Sequence, residues 1–174
     1  RVPESSGVLF SLYGPDWKPL PLQLFSQREG EIYEVRARFA ETGDYELHVF
    51  ARRNSDVDPL YHSAVALSLA NPHPSVPIEE YPETYPRYQE TQSFLFYPFE
   101  RILPADESIS FKIRIPEAEE AAVLSGDEWS FLFPEGGAYA GNVWIQEGSV
   151  IILARFPGEA TFQYLVEYVA RKEP

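Results

Sequence analysis

Cysteine and methionine are both absent from the sequence. Without a thiol there is no disulfide, no thiolate nucleophile and no cysteine-ligated metal, so packing and backbone pairing must hold the fold. The absence leaves the compartment open, since cytosolic and exported proteins alike can lack cysteine. Cations are scarce: 14 Lys and Arg stand against 27 Asp and Glu, a net charge of -13. Nucleic-acid binding needs clustered cations to neutralise phosphates, so the charge argues against that class of partner, and solubility or a basic partner is the better inference. No apolar run approaches the roughly 20 residues of a membrane-spanning helix. The first residues do not read as a charged-then-apolar signal. Helical periodicity is sparse too, with residues 117–122 the one stretch that reads as helix, short enough to be a turn.

What is present instead is strand and turn chemistry. Aromatic residues make up 15% of the chain and there are 16 prolines, while 44% apolar residues give a globular and not a disordered composition. Residues 129–169 hold four runs rich in β-branched and aromatic side chains, punctuated by Pro134, Gly136, Gly137, Gly148, Pro157 and Gly158. That is the signature of consecutive antiparallel strands. Further strand-like runs lie at residues 94–97, 109–115 and 121–124.

The first half follows the same grammar. Residues 8–13 read as a strand ended by Gly14-Pro15-Asp16; Leu20, Leu22 and Leu24 alternate as in a half-buried strand, and residues 27–30 read as a polar turn. Ile32, Val35, Ala37 and Phe39 carry the next strand. Tyr45, Leu47, Val49 and Ala51 then alternate with polar residues, residues 52–59 form a charged loop, and residues 61–69 make another strand.

Laid over one another, the halves show a short repeat. Ala37-Arg38-Phe39 falls on Ala154-Arg155-Phe156, and Tyr45, Leu47 and Val49 fall on Phe162, Tyr164 and Val166; upstream, residues 10–13 fall near residues 129–132. The expected architecture is all-β, two immunoglobulin-like antiparallel β-sandwich modules in tandem. Residues 1–72 form the first module, 73–90 a Pro/Tyr-rich connector and 91–174 the second. Only the second copy has the upstream strands, so the first is expected to be N-terminally incomplete, with its edge covered by a protein partner or by a further segment of a longer chain. Such proline density in the connector argues against helix and for an extended segment.

Catalytic groups are poorly arranged. No serine sits in Gly-x-Ser-x-Gly, and Ser125-Gly126-Asp127 lacks the first glycine. His48 lies on a strand face opposite Leu47 and Val49, where an exposed structural role is expected; His62 and His73 stand at no metal-ligand spacing. Asp56 with Asp58, Asp106-Glu107 and residues 117–120 read as solvated acidic segments and not as calcium loops. No catalytic, cofactor-binding or metal-binding residue is assigned. Trp129 and Trp144 fall on strand positions where core packing is expected. Trp17, in a Gly-Pro-Asp-Trp loop, and the connector tyrosines Tyr81, Tyr85 and Tyr88 are the candidate interaction residues.

Tyr81-Pro-Glu-Thr-Tyr-Pro-Arg-Tyr88, Phe94-Leu-Phe-Tyr-Pro98, Leu103-Pro104, residues 109–116, Trp129-Ser-Phe-Leu132, Tyr139-Ala-Gly141 and residues 164–169 resemble the immunoglobulin-like modules that follow the transglutaminase-like domain in the kyphoscoliosis peptidase and hillarin group. Residues 43–51 with Tyr61 are similar to the end of the preceding module. In that group the resemblance implies a Cys, His and Asp catalytic set in the upstream domain, and nothing here matches it. The expected function is thus a non-catalytic structural or protein-interaction region of a larger polypeptide. The alternatives are a substrate-positioning region of a transglutaminase-like peptidase, and a carbohydrate-binding sandwich using Trp17 and nearby tyrosines.

Overall fold

The structure is a computed structural model that describes residues 5–53 and 60–172. It divides the chain into two compact units, Arg1–Ile78 and Glu79–Pro174.

The second unit carries β6 (Glu83–Thr84), α1 (Pro86–Glu90), β7 (Phe94–Tyr97), β8 (Ile102–Pro104), β9 (Glu107–Arg114), β10 (Glu120–Ser125), β11 (Glu128–Glu135), β12 (Ala138–Ile145), β13 (Gly148–Arg155) and β14 (Gln163–Arg171). Strand β11 serves two sheets. Its first half pairs with β10, which continues to β13 and β14. Its second half pairs with β12, which continues to β9 and β7. The two sheets face one another, and Phe111 of β9 meets Tyr168 of β14 edge-on across the gap at 5.8 Å. With β7-β9-β12-β11 opposite β10-β13-β14, the strands stand in the A-B-E-D and C-F-G order of an immunoglobulin-like sandwich.

Alternation explains the packing. On β13, Val150, Ile152 and Ala154 point inward and are fully buried; on β14, Val166, Tyr168 and Ala170 do the same, against Leu95, Phe111 and Ile113 of the facing sheet. Each large apolar side chain removed from water this way contributes about 1.5–3 kcal/mol. The edge of β14 is not left bare: β8 pairs with it in parallel and β6 antiparallel.

The first unit has β1 (Ser5–Tyr13), β2 (Leu24–Glu29), β3 (Ile32–Ala37), β4 (Gly43–Arg53) and β5 (His62–Asn71). These form one sheet, β1-β4-β5, and one hairpin, β2-β3. The sheet has the C-F-G connectivity of β10-β13-β14, and the hairpin takes the place of β11-β12. Among the described residues nothing corresponds to β7, β8 or β9.

Several expectations are corrected. The repeat is one strand out of register: β13 and β14 are hydrogen-bonded neighbours, whereas β3 and β4 lie in different sheets, so β4 matches β13 and β1 matches β10. Residues 20–23 are a loop and a 3-10 turn instead of a strand, because Pro21 and the Gln23 N–H bonding back to the Leu20 carbonyl close a turn there. Residues 27–29 are strand and not turn, since β2 runs on to Glu29 against Ile32. Gln27 is buried in it and its Nε2 donates to Glu34 at 3.0 Å.

Helix occurs where the prolines argued against it. Pro86 opens α1 at the first helical position, where a missing N–H costs nothing. Residues 116–117 are turn, 118–119 are irregular, and 120–122 already belong to β10. Residues 79–90, assigned to a connector, belong to the second unit.

Candidate functional site

The site candidate in the first unit is the β5 side of its sheet. Cross-strand pairs put Leu12, Leu47 and Leu67 in one row and Phe10, Val49 and Val65 in the next, all on one face. Such an apolar face must be covered. Phe10 is covered by the hairpin, whose Tyr33 ring lies 5.8 Å away, and Tyr45 by Phe39 at 4.7 Å. Leu12, at the β1 end of its row, is 1% exposed; Leu47 is half-buried; Leu67, at the β5 end, is 46% exposed and Val65 43%. Cover therefore fades across the sheet toward β5.

The edge shows the same deficit. Strand β5 pairs with β4 and, among the described residues, with no other strand. Its counterpart β14 pairs with β8 on that side and packs beneath β9, which is why Val166 and Tyr168 are fully buried while Val65 and Leu67 are not. A row of unpaired backbone groups beside an uncovered apolar strip is the template that an added strand recognises.

Around this strip the unit is well anchored. The Tyr45 hydroxyl donates to the Glu41 carbonyl and accepts from the Glu41 N–H, both at 2.9 Å. Asn71 Nδ2 donates to the same carbonyl at 2.8 Å, and the Val76 N–H donates to the Ala40 carbonyl at 3.0 Å.

The candidate interaction residues are placed unequally. Trp17 is 66% exposed on the loop between β1 and the 3-10 turn, with a positive φ of 61°, beside the Asp16–Lys18 ion pair. Tyr81 and Tyr88 are buried and are core residues, not contact residues: the Tyr88 hydroxyl accepts from the Leu95 N–H at 3.0 Å. Tyr85 is half-buried; its hydroxyl donates to Glu167 at 2.5 Å and its ring meets Tyr164 at 5.5 Å. That carboxylate and partial burial push the Tyr85 phenol up to about 12.

Residues weighed for chemistry are structurally occupied. Ser125 is buried and its Oγ accepts from the Gln146 N–H at 2.8 Å. His48 lies 2.8 Å from Glu46 and packs against Tyr13 and Phe50. Glu119 and Glu120 hold Arg155, and Asp106 pairs with Lys172. Asp56 and Asp58 lie outside the described residues. Among the described residues no three His, Asp or Glu side chains cluster as a metal site.

Sequence reasoning missed the outward aromatics of the second unit. Trp129 and Trp144 are 46% and 58% exposed, and Phe131 and Phe133 are exposed as well. The period-two signal was there, but on β11 both alternating sets contain bulky or apolar residues, so the sequence does not say which set faces in. Leu132 does, and Trp129 and Phe131 do not.

No protein-family model matches this chain. Mouse kyphoscoliosis peptidase is 23% identical over 176 residues, covering 96% of this chain and 26% of the mouse protein, so the chain spans about a quarter of that relative's length. A solved structure of the titin Ig tandem domains A164-A165 aligns over 95% of this chain and 83% of its own, with a TM-score of 0.30 and 10% identity.

Proposed function

We propose that this chain is a non-catalytic protein-interaction region in which β5 and its uncovered face accept a strand from another polypeptide segment. The observation that carries this reading is the contrast between β5 and β14. One sheet connectivity appears in both units, and the edge that β8 pairs with in the second is paired by none of the described residues in the first. An added strand would supply main-chain hydrogen bonds along β5 and place apolar side chains over Leu47, Val65 and Leu67.

The similarity to kyphoscoliosis peptidase across nearly the whole chain supports the finer reading that these units belong to a larger polypeptide of that kind and hold or position protein within it. The lack of any Cys and the structural employment of Ser125 and His48 support a role other than peptide cleavage in these residues.

Amide exchange followed through residues 62–71, with native mass spectrometry, tests the reading. The chain by itself should exchange rapidly at alternate β5 amides, and those amides should slow when a strand-donating segment or partner is bound. A monomer with every β5 amide already protected overturns it.

A further inference from the structure

A second surface, on the other unit, has its own chemistry. The outer face of the β11-β10-β13-β14 sheet carries Trp129, Leu124 and Ile151 in one cross-strand row and Phe131, Ala122, Leu153 and Tyr164 in the next. Outer faces of half-exposed sheets are ordinarily polar; this one is apolar through both rows. Phe162, at the entrance to β14, folds over the middle of it, meeting Trp129 at 5.0 Å and Phe131 at 6.2 Å, both edge-on. Ala122 and Leu153 are buried beneath, yet Trp129, Phe131 and Tyr164 each keep about half their surface in water, from 45% to 51%. Contiguous exposed rings over an apolar floor are a contact surface more often than a solvated one.

The border decides what fits. Glu167 ends the Trp129 row and Glu83 pairs beside it on β6. Glu120 stands one step past the Phe131 row, and Asp127 and Glu128 lie in and after the tight turn that leads to Trp129. Arg155, opposite Glu120, is already held by Glu119 at 2.7 Å and Glu120 at 3.2 Å. Arg87, which lines the cleft beside Phe162 and Tyr164, is likewise held, by Glu159 at 2.6 Å. Rings bordered by carboxylates and by cations already paired favour added cations, through charge and through the faces of the rings themselves. A second copy of this chain would bring its own acidic border against this one, on a molecule of net charge -13. A sugar would find an aliphatic floor of Ala122, Leu124, Ile151 and Leu153 with no polar groups between the rings to take its hydroxyls.

We infer that the aromatic outer face centred on Trp129, Phe131 and Phe162 docks a protein segment in which Lys or Arg residues flank apolar ones. All its residues lie in the second unit, so it stands or falls independently of the β5 reading.

The test uses the full chain with Trp17→Phe and Trp144→Phe, exposed positions whose replacement leaves Trp129 as the fluorescent reporter. The probes are a set of synthetic peptides of about twelve residues in which Lys/Arg and Leu/Val/Phe are interleaved in different orders, with matched peptides carrying Glu in place of every cation. Cationic peptides should shift Trp129 emission to the blue. Binding should weaken at least about tenfold in Phe131→Ser with Phe162→Ser, and also as salt is raised from about 50 to about 300 mM. Because removing rings can disturb packing, Asp127→Lys with Glu128→Lys, both at exposed positions, provides a second variant that keeps the rings and should also lose the cationic peptides. Equal binding of the Glu peptides, unchanged binding in both variants, or no binding by any cationic peptide overturns the proposal. So does a concentration-dependent dimer that the ring variant abolishes, which would assign the face to self-association, or an emission shift with oligosaccharides and none with peptides.

Discussion

The Tyr168 hydroxyl donates to the Pro98 carbonyl at 3.2 Å while its ring meets Phe111 edge-on, so one side chain ties β14 to the segment between β7 and β8 and to the facing sheet. Burial holds this phenol well above its usual range, so it stays a neutral donor in the fold.

Replacing Tyr168 with Phe keeps the ring and strands a buried carbonyl. The expected loss is about 1–3 kcal/mol in the unfolding of the second unit. Tyr168→Ala also opens a cavity and should cost about 3–5 kcal/mol. Denaturant titration of the two variants, followed by near-ultraviolet dichroism, checks both the sizes and their order.

Tyr85 supplies a pH test. Its phenol is raised from 10.0 to about 12, first by the hydrogen bond to Glu167. A folded-state value above the unfolded one gives a contribution that is intact below pH about 10 and is lost as pH climbs toward about 12. Tyr168 and Tyr139 are also raised by burial, so absorbance titration of the phenols should show several late-ionising groups, of which the Tyr85 component alone moves back toward the ordinary range in Glu167→Gln. Stability of Tyr85→Phe should be the less sensitive to pH across that window.

The contrast between β5 and β14 predicts opposite responses to one chemical change. Leu67→Lys, on the uncovered strip, should alter the stability of the first unit by no more than about 0.5 kcal/mol. Val166→Lys, beneath β9, buries an unpaired charge and should cost on the order of 4 kcal/mol or more. Thermal unfolding of the two single variants decides the matter; equal losses would mean that the β5 face is covered after all.

Gly126, in the β10–β11 turn, has a φ of 60°, and a Cβ there would sit 2.7 Å from Gln146 Oε1. Gly136 shares the φ of 60° with open space around it. Gly126→Ala should cost about 1–2 kcal/mol for the left-handed backbone and more where Gln146 must yield; Gly136→Ala should cost the backbone part alone. Chemical denaturation of the pair separates the two contributions.

Much of the strand pattern was legible in the residues themselves. The runs within residues 129–169 form strands β11 to β14 as read, and the turns fall at the glycines and prolines between them. The register of the repeat was not legible, because strands of similar composition such as β12, β13 and β14 can be slid past one another in sequence without penalty. Hydrogen-bonded neighbours alone reveal that β4 corresponds to β13. Tyr81 and Tyr88 read as surface residues for a like reason: their prolines signalled an extended chain, yet Pro86 starts a helix that turns Tyr88 into the core.

Composition and periodicity were enough to establish an all-β chain held without disulfides, because alternation of apolar side chains is a local property of each strand. Which side of a strand finds cover is not local. Leu67 and Val166 carry the same kind of side chain in the same kind of strand, and one is exposed and the other buried because strands from elsewhere in the chain pack over β14 and none of the described residues does so over β5.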